Sequence, residues 1–346
     1  MPSAWAGALG SNVSCIGSEA SSTYRARTRN GRMPFTVSEC PLIATAEAPS
    51  SVGNIATGFD ILGHTIAGPK DRVRVRRIAE KEVRLGSVTG VLTDLPKEVE
   101  RNTALRALSA LRVGRALPFG FEADIVKGIP LGSGMGGSAA SAVAALVAAN
   151  ALLDTPLRPS ELYPYAVEGE AAASGSHHGD NVGPMLLGGL TLATSNRLIR
   201  LPVPRDLSCV LVHPHLVLET RKAREVLSAP CAISDFVPQS AGLAQMMVGL
   251  FTSNLDSIRA GLLDVLVEPR RAHLIPGFAR VKASAMDAGA LGSSISGGGP
   301  SVFAWFRDAE AAAAAAPSMQ KAFRAEGLES DVFVSPVEGP KSAVVA

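Results

Sequence analysis

Glycines and serines alternate at residues 130–141, in the sequence PLGSGMGGSAAS, directly ahead of a long apolar segment. The four glycines are Gly132, Gly134, Gly136 and Gly137. Glycine lets the main chain approach a ligand closely, and the N–H groups at a helix N-terminus bind anions such as phosphate. The segment lacks the Gly-Lys-Ser/Thr ending of a Walker A loop and the spacing of a GxGxxG motif. It therefore predicts an anion site, with a flexible turn before a serine-capped helix as the alternative.

A second group of polar residues lies at 168–181, in the sequence EGEAAASGSHHGDN. Glu170 falls near the end of a predicted helix, and the loop after it carries His178, Asp180 and Asn181. Magnesium prefers one or two carboxylates together with phosphate oxygens and water, so Glu170 is a candidate ligand. The alternative is a solvated helix end followed by surface polar groups.

Two further loops could contribute to a binding cleft. Residues 289–300, GALGSSISGGGP, form a second glycine-rich loop, which could also be only a tight turn. Residues 48–60, APSSVGNIATGFD, place Asn54 and Asp60 around Thr57 and Gly58 after a predicted strand. A carboxylate and an amide there suit an amine ligand, although an ordinary Asx turn explains the same residues.

Segments with strand patterns and helix patterns alternate between these loops. This order predicts an α+β protein of two layered domains with a break near residues 188–201. Strands are expected at residues 42–47, 71–78, 119–125, 189–193, 209–213 and 301–305. Helices are expected at residues 102–113, 138–153, 159–174, 220–227, 239–252, 255–260, 277–288 and 308–326. The helix at 138–153 is almost continuous Ala, Val and Leu and must be buried on most sides.

The bulk composition excludes several classes of function. Lys and Arg number 33 against 31 Asp and Glu, a net charge of +2 that gives no field for nucleic acid. No apolar stretch is long enough to span a membrane. Four scattered cysteines and two close histidine pairs, His177/His178 and His213/His215, match neither a disulfide framework nor a zinc motif. Reduced thiols indicate a cytosol-like compartment.

Residues 1–36 are rich in Ser, Gly and Arg without an apolar period, so we expect a disordered extension. They could be a transit peptide, or could precede a start at Met33. The location therefore depends on the host, cytoplasm for a bacterium and plastid for a plant.

Read in order over residues 42–335, the four segments resemble the GHMP kinases and, among these, the homoserine kinases. PLGSGMGGSAAS is similar to that family's phosphate motif. APSSVGNIATGFDILG, SGSHHGDNVGP and GALGSSISGGGPSV are similar to further homoserine kinase segments. The resemblance implies a two-domain GHMP kinase fold, with an amino-terminal ribosomal-protein-S5-like domain, a carboxyl-terminal ferredoxin-like α/β domain and the active site between them. The expected bounds are residues 37–190 and 191–340.

The resemblance also implies an activity, ATP-dependent phosphorylation of L-homoserine with Mg²⁺ in threonine biosynthesis, and roles for individual residues. Nucleotide contacts would come from Pro130, Leu131, Gly132, Ser133, Gly134, Met135, Gly136, Gly137, Ser138, Ala139, Ala140 and Asn102. Magnesium would be held by Ser138 and Glu170, which with Asn181 form the catalytic set. Homoserine contacts would come from Asn54, Asp60, His178, Asn181, Arg224, Arg271, Gly297, Gly298 and Gly299. Such enzymes are often homodimers, and the sequence leaves the oligomeric state open.

Two departures from the family pattern stand out. Gly137 occupies a position where the family commonly has a serine, so the loop should act mainly through its backbone. His177 and Gly179 crowd His178, which leaves open the histidine that faces the substrate.

The expected mechanism is direct in-line attack by the substrate hydroxyl on the γ-phosphate, with Asn181 orienting the hydroxyl and Asp180 as a general base in the rival scheme. A mevalonate- or shikimate-type kinase and an inactive sensor on the same fold remain alternative functions.

Overall fold

The computed structural model describes residues 42–346, and the expected disordered extension lies outside them. Residues 42–346 form one compact unit that contains two sheets. The strands are β1 (Ile43–Gly53), β2 (Leu62–Ile78), β3 (Val83–Gly90), β4 (Gly120–Lys127), β5 (Leu190–Ala193), β6 (Leu198–Arg200), β7 (Ser208–Pro214), β8 (Gly292–Ile295), β9 (Val302–Phe306), β10 (Ser330–Pro336) and β11 (Ala343–Val345). The helices are α1 (Thr103–Gly114), α2 (Gly137–Asn150), α3 (Pro159–Ser174), α4 (Val182–Leu187), α5 (Thr220–Glu225), α6 (Ile233–Thr252), α7 (Leu255–Gly261), α8 (Glu268–Arg271), α9 (Phe278–Asp287) and α10 (Ala309–Arg324).

The first sheet has seven strands, in the order β11-β1-β2-β4-β3, with β5 paired to β2 and β6 to β5. Its strands are antiparallel except for the β3/β4 pair. Alternation along β2 buries Val73 and Val75 and turns Arg72, Arg74 and Arg76 outward. These arginines pair with acidic residues on β1 and β4, so one face of the sheet is covered by charges rather than by helices.

Helices cover the other face of this sheet. Residues 139–146 of α2 are all buried, as expected for a helix that is apolar around its whole circumference. Helices α1 and α3 pack beside α2 and complete the first core.

The second sheet is antiparallel in the order β10-β7-β9-β8. Strand β9 is wholly buried, and α9 and α10 pack against the sheet around Phe306 and Phe323. The α+β class is therefore confirmed. The predicted domain boundary stays a prediction, although β6 and β11 belong to the first sheet and lie beyond residue 190.

Several predicted element boundaries were wrong. Strand β1 continues to Gly53, through a bulge between Pro49 and Ser51, where a loop was expected. Residues 292–295 form β8 rather than part of a loop, and α6 begins at Ile233, six residues before the expected start. None of the helices within residues 42–346 is long and apolar enough to cross a membrane.

Candidate active site

The four sequence segments meet at a cavity of about 430 Å³. Its wall combines the first glycine loop, the loop after α3, the end of β1 and the second glycine loop. The lining residues include Asn54, Asp60, Asn102, Lys127, Pro130, Leu131, Gly132, Ser133, Gly134, Gly136, Gly137, Ser138, Glu170, His178, Asp180, Asn181, Arg224, Arg271, Gly297, Gly298 and Gly299.

The first glycine loop is tied to the rest of the chain through the carbonyls of four consecutive residues. The hydrogen bonds run from Leu218 N to Gly132 O (3.1 Å), Ser301 Oγ to Ser133 O (2.6 Å), Ser296 Oγ to Gly134 O (2.7 Å) and Ser51 N to Met135 O (3.1 Å). Because a trans peptide directs its N–H opposite to its C=O, the N–H groups of residues 133–136 face away from these partners. The Met135 N–H turns back to the Ser133 hydroxyl at 3.3 Å, and Ser133, Gly134 and Gly136 line the cavity.

Glycine is required in this loop for two separate reasons. Gly134 and Gly136 have φ of 75° and 70°, a left-handed conformation that other residues adopt only with strain. A Cβ atom at Gly136 would also lie 2.4 Å from Ser51 Oγ and 2.9 Å from Asn181 Oδ1. The loop thus runs too close to its neighbours for a side chain.

A buried ion pair lies beneath the loop and was not predicted from the sequence. The Lys127 ammonium contacts the Asp71 carboxylate and donates to Gly137 O (2.8 Å) and Ser141 Oγ (3.0 Å). Asp71 also accepts from the N–H groups of Gly128 and Ile129 at 3.0 and 3.1 Å. All three ammonium protons of Lys127 have a partner, so this lysine fixes the start of α2 and of the loop.

The predicted magnesium ligands lie next to each other at the cavity wall. Ser138, in the first turn of α2, donates from Oγ to Glu170 Oε1 at 2.9 Å. Burial raises the pKa of Glu170 to about 7, against the opposing influence of His178 and of the Ser138 hydroxyl. A hydroxyl and a buried carboxylate side by side are hard oxygen donors of the kind that Mg²⁺ selects.

The loop after α3 separates the two neighbouring histidines. His177 is exposed and pairs with Glu168 at 2.8 Å, whereas His178 is nearly buried, with Nδ1 at 3.3 Å from Asp180 Oδ1. Burial lowers the pKa of His178, but the stronger combined influence of Asp180 and Asp60 holds it above its ordinary value. The structure therefore places His178, rather than His177, at the cavity.

Asp180 is the centre of a hydrogen-bond network. Its Oδ2 accepts from Asn54 N (3.1 Å) and Asn181 Nδ2 (3.2 Å), while Asn181 Oδ1 accepts from Ser51 Oγ (2.8 Å). Asn54 Nδ2 donates to Gly297 O at 2.8 Å, which joins the early loop to the second glycine loop. The amide side chains of Asn54 and Asn181 thus also hold the site together.

Asp60, expected to bind an ammonium group, is engaged by an arginine. Arg224 Nη1 and Nη2 donate to its two carboxylate oxygens at 3.0 and 2.8 Å. Arg271 lies close by, buried, and donates from Nε to Ala223 O (2.8 Å) and from Nη1 to Gly297 O (3.1 Å). Burial first, and then the charge of Arg224, lower the pKa of Arg271 to about 10, so the guanidinium stays charged at neutral pH.

An aromatic ring supports the two arginines. The centroid of Phe59 is 5.6 Å from Cζ of Arg224 and 5.2 Å from Cζ of Arg271, within cation–π range. Asp60 and Asn54 both have positive φ, 61° and 58°, a strained conformation that concentrates at functional sites. Asn and Asp tolerate this conformation better than most residues, which is the one sequence signal for it.

Asn102 lies at a less polar part of the wall, with Leu92, Leu95 and Pro96. Its side chain caps α1, accepting from Ala104 N and Leu105 N, and donates to Pro96 O at 2.8 Å. Its first role is therefore structural.

Three residues predicted to contact nucleotide do not line the cavity. Met135, Ala139 and Ala140 are buried in the first core, behind the loop. Their side chains pack in the core at the start of α2, and they are too deeply buried to contact a ligand.

Sequence reasoning missed Ser51, Phe59, Lys127, Ser296 and Ser301. Lys127 lies three residues before Pro130, and the others lie inside segments that had been singled out. The sequence gives no signal for hydrogen bonds between distant segments, such as the one between Ser301 and Ser133.

Comparison with known proteins gives a consistent result. The family model of the GHMP kinases N terminal domain matches residues 102–189, and that of the GHMP kinases C terminal domain matches residues 246–325. A homoserine kinase of Xanthomonas campestris pv. campestris is 56% identical over 303 residues, which are 88% of this chain and 94% of that protein. One of Chlorobium phaeobacteroides is 42% identical over 308 residues, 85% and 96% of the two chains.

Solved structures show the same relationship. The crystal structure of homoserine kinase from Cytophaga hutchinsonii matches with a TM-score of 0.84 and 39% identity, over 91% of this chain and 100% of that chain. The mevalonate kinase of L. major matches with a TM-score of 0.60 at 14% identity, over 86% and 97% of the two chains, which shows a common fold alone.

Proposed function

The chain belongs to the homoserine kinases of the GHMP kinase family, and we propose that it transfers the γ-phosphate of ATP to the side-chain hydroxyl of L-homoserine in the cavity described above. The site assignment is based on one observation: the lining of the cavity has two halves of different chemistry. The first glycine loop beside Ser138 and Glu170 suits a nucleotide, and a carboxylate with two guanidinium groups suits an amino acid.

The glycine loop would hold the phosphates with its backbone. The N–H groups of Ser133, Gly134 and Gly136 are already oriented by hydrogen bonds to the opposite side of the loop, so nucleotide binding requires little rearrangement. Leu92, Leu95 and Pro96, which precede α1 in the sequence, offer an apolar surface for the base.

Ser138 and Glu170 would hold Mg²⁺. The ion would neutralise charge on the phosphate oxygens of bound ATP. For this, Glu170 must be ionised and Ser138 must redirect its proton, which now points at Glu170.

The amino-acid half of the cavity would work by exchange of ion pairs. In the free site Asp60 and Arg224 neutralise each other. A zwitterion offers an ammonium for Asp60 and a carboxylate for Arg224 and Arg271, so every charge keeps a partner. A ligand with only one of the two charges would open the pair and leave one member unmatched, which is costly at a partly desolvated site.

Transfer would then proceed by in-line displacement. The homoserine oxygen bonds to the γ-phosphorus as the bond to the bridging oxygen of ADP breaks, and the hydroxyl proton passes to a phosphoryl oxygen. Asp180 would act as a positioning residue, because its Oδ2 accepts two hydrogen bonds and its Oδ1 faces His178. Asn181, which uses one amide N–H for Asp180, has a second N–H for the substrate hydroxyl.

An acceptor panel tests this substrate assignment. With Mg-ATP, we expect ADP release with L-homoserine but not with mevalonate or shikimate, and competitive inhibition by L-2-aminobutyrate, which has both charges and lacks the hydroxyl. Inhibition by butyrate as strong as that by L-2-aminobutyrate would contradict recognition of the ammonium by Asp60.

We further propose that the enzyme is a homodimer joined through α6. Its exposed residues Ile233, Val237, Ala241, Ala244, Val248 and Phe251 follow the three- and four-residue spacing of one helix face. The opposite face, with Gly242, Met246 and Gly249, is already buried in the protein, so α6 is apolar on two sides. A stripe without charges along its length is complementary to itself, as a two-fold interface requires.

Light scattering of the purified protein tests this interface. We expect a dimer for the unchanged protein and for Val113→Asp, which changes an exposed apolar residue on α1, but a monomer for Val237→Asp. A dimer that persists in Val237→Asp would place the contact elsewhere.

A cytoplasmic location is also proposed. Cys209 and Cys231, the cysteines within the described residues, are free thiols. Free thiols are usual in a reducing compartment, where the substrate amino acid and ATP are both present.

A further inference from the structure

His213 lies behind both glycine loops and has no part in the proposed reaction. It is the penultimate residue of β7, in the middle of the second sheet, and its imidazole is buried. His213 Nδ1 is 3.2 Å from the hydroxyl oxygen of Ser301, the residue just before β9.

Ser301 in turn joins the two glycine loops. Its Oγ donates to Ser133 O at 2.6 Å, and its N–H reaches the same carbonyl at 3.3 Å. Ser133 and Gly134 share one peptide group, and both residues line the cavity. The direction of the Gly134 N–H therefore depends on where Ser301 holds the carbonyl at the other end of the peptide.

The protons of this chain of groups can be assigned by counting donors. Ser301 has one hydroxyl proton, and the 2.6 Å bond to Ser133 O uses it. The Ser301 oxygen can then only accept from His213, which must present Nδ1–H. Burial lowers the pKa of His213 to about 4, with His215 adding to the shift and Asp331 and the Ser133 carbonyl opposing it, so the imidazole is neutral at physiological pH.

We propose that His213 is a positioning residue for nucleotide binding: its Nδ1–H fixes the Ser301 hydroxyl, which holds the Ser133–Gly134 peptide with its N–H directed at the phosphates. This inference rests on the proposed binding of ATP by the glycine loop. It assigns a function to one histidine of the His213/His215 pair, which matches no zinc motif.

Two substitutions of His213 separate the donor from the bulk of the ring. His213→Leu fills the space and removes the N–H, and should weaken ADP binding and raise the KM for ATP by roughly three- to tenfold, the change that one hydrogen bond supports. His213→Asn places an amide N–H where Nδ1 was, and should return both values to within about twofold of the unchanged protein, as expected when that one hydrogen bond is kept. The KM for homoserine should stay within the same range in both variants.

His215→Leu is the matched control, because His215 is exposed and pairs with Asp331 at the protein surface. It should leave ADP binding unchanged. If His213→Leu does not fold, Ser301→Ala removes the hydroxyl from the other end of the bond and should weaken ADP binding to the same extent.

The outcomes distinguish this inference from the function on which it rests. Unchanged ADP affinity in folded His213→Leu or in Ser301→Ala would overturn the role of His213 while leaving the kinase intact. Equal losses in the Leu and Asn variants, with the KM for homoserine raised as much as that for ATP, would show a packing role and overturn it too. Failure of the unchanged protein to bind ADP would contradict the nucleotide site itself.

Discussion

At Glu170 the stability of the fold and the proposed activity favour different protonation states of the carboxyl group. Burial holds its pKa at about 7, above the usual 4.5. Such a carboxyl stabilises the fold while it is protonated, and this contribution is lost as pH rises from about 4.5 through 7. Without magnesium, the protein above pH 7 therefore holds a buried charge at a cost on the order of 3 kcal/mol.

Glu170→Gln should consequently be more stable than the unchanged protein at pH 8 without magnesium, with the difference vanishing near pH 4.5. Thermal unfolding at the two pH values, with and without Mg²⁺ and ADP, measures this. Added magnesium and ADP should stabilise the unchanged protein more than the variant. A variant that is less stable at pH 8, or that gains as much from magnesium, would contradict the role given to Glu170.

Arg271 tests the amino-acid half of the site. Arg271→Leu should raise the KM for homoserine by about a hundredfold, since a charged hydrogen bond to a carboxylate is worth roughly 1.5–3 kcal/mol and its loss also leaves a carbonyl unpaired. The KM for ATP should change little. Arg270→Leu is the matched control, because Arg270 bonds instead to the carbonyls of Ala229 and Pro230. Equal increases in both KM values would refute the carboxylate assignment.

The sequence allows predictions for single residues that a motif contains, and has no signal for the pairs that the fold creates. Asp60 and Arg224 were each expected at the substrate, but their ion pair joins residues 164 positions apart and has no local signal. The partners of Lys127 that lie nearest in the sequence, Gly137 and Ser141, are 10 and 14 residues away. Its burial with Asp71 follows only from the β2/β4 pairing.

The start of α2 separates a position of the phosphate loop that excludes a side chain, Gly136, from one that accepts a small side chain, Gly137. Gly136→Ala would force a residue with φ of 70° to carry a Cβ 2.4 Å from Ser51 Oγ, so we expect loss of ADP binding. Gly137→Ser introduces the serine that is common in the family. Residue 137 has a helical backbone, and the added Cβ atom would lie 3.1 Å from Ile129 Cγ2. This substitution should lower stability by only about 1 kcal/mol, the low end of overpacking, and keep ADP binding.

Titration of both variants with ADP checks this expectation. If Gly137→Ser abolished binding, or Gly136→Ala retained it, the backbone would not be the part of the loop that binds phosphate.

Elements were predictable from the sequence where the composition favours one conformation. The Ala, Val and Leu run of α2 predicted a buried helix, which the structure contains. The family resemblance of the four loop segments is confirmed by relatives at 56% and 42% identity. The prediction ended β1 too early because Pro49, Ser50 and Ser51 are residue types that are polar or disfavour strands. The pairing of β1 with β2 nevertheless continues past the bulge. Strand β8 (Gly292–Ile295) contains one glycine and two serines before Ile295, and its extended conformation is fixed by the pairing with β9.

A buried hydrogen bond between Trp305 and His64 is among the contacts that join the two sheets. Trp305 Nε1 on β9 donates to His64 Nε2 on β2 at 3.1 Å, and His64 Nδ1 lies 2.9 Å from Thr65 O, so the imidazole is held as the Nδ1–H tautomer. Burial lowers the pKa of His64 from 6.5 to about 4. The neutral ring therefore stabilises the fold above pH 6.5, and this contribution is lost as pH falls through 4.

We expect His64→Gln, which keeps an acceptor for Trp305 and cannot be protonated, to lose less stability than the unchanged protein between pH 7 and pH 5. The difference should be on the order of 2 kcal/mol in the free energy of unfolding. Urea unfolding at both pH values measures it. An identical pH dependence in the two proteins would show that His64 is not held neutral between the sheets.

We infer that this cavity phosphorylates homoserine, and product formation by the purified protein with Mg-ATP tests that activity directly. We predict that ADP release depends on added L-homoserine, and that ³¹P NMR detects one phosphate ester for each ADP formed. ADP release at the same rate without homoserine, or with inorganic phosphate as the product, would contradict it.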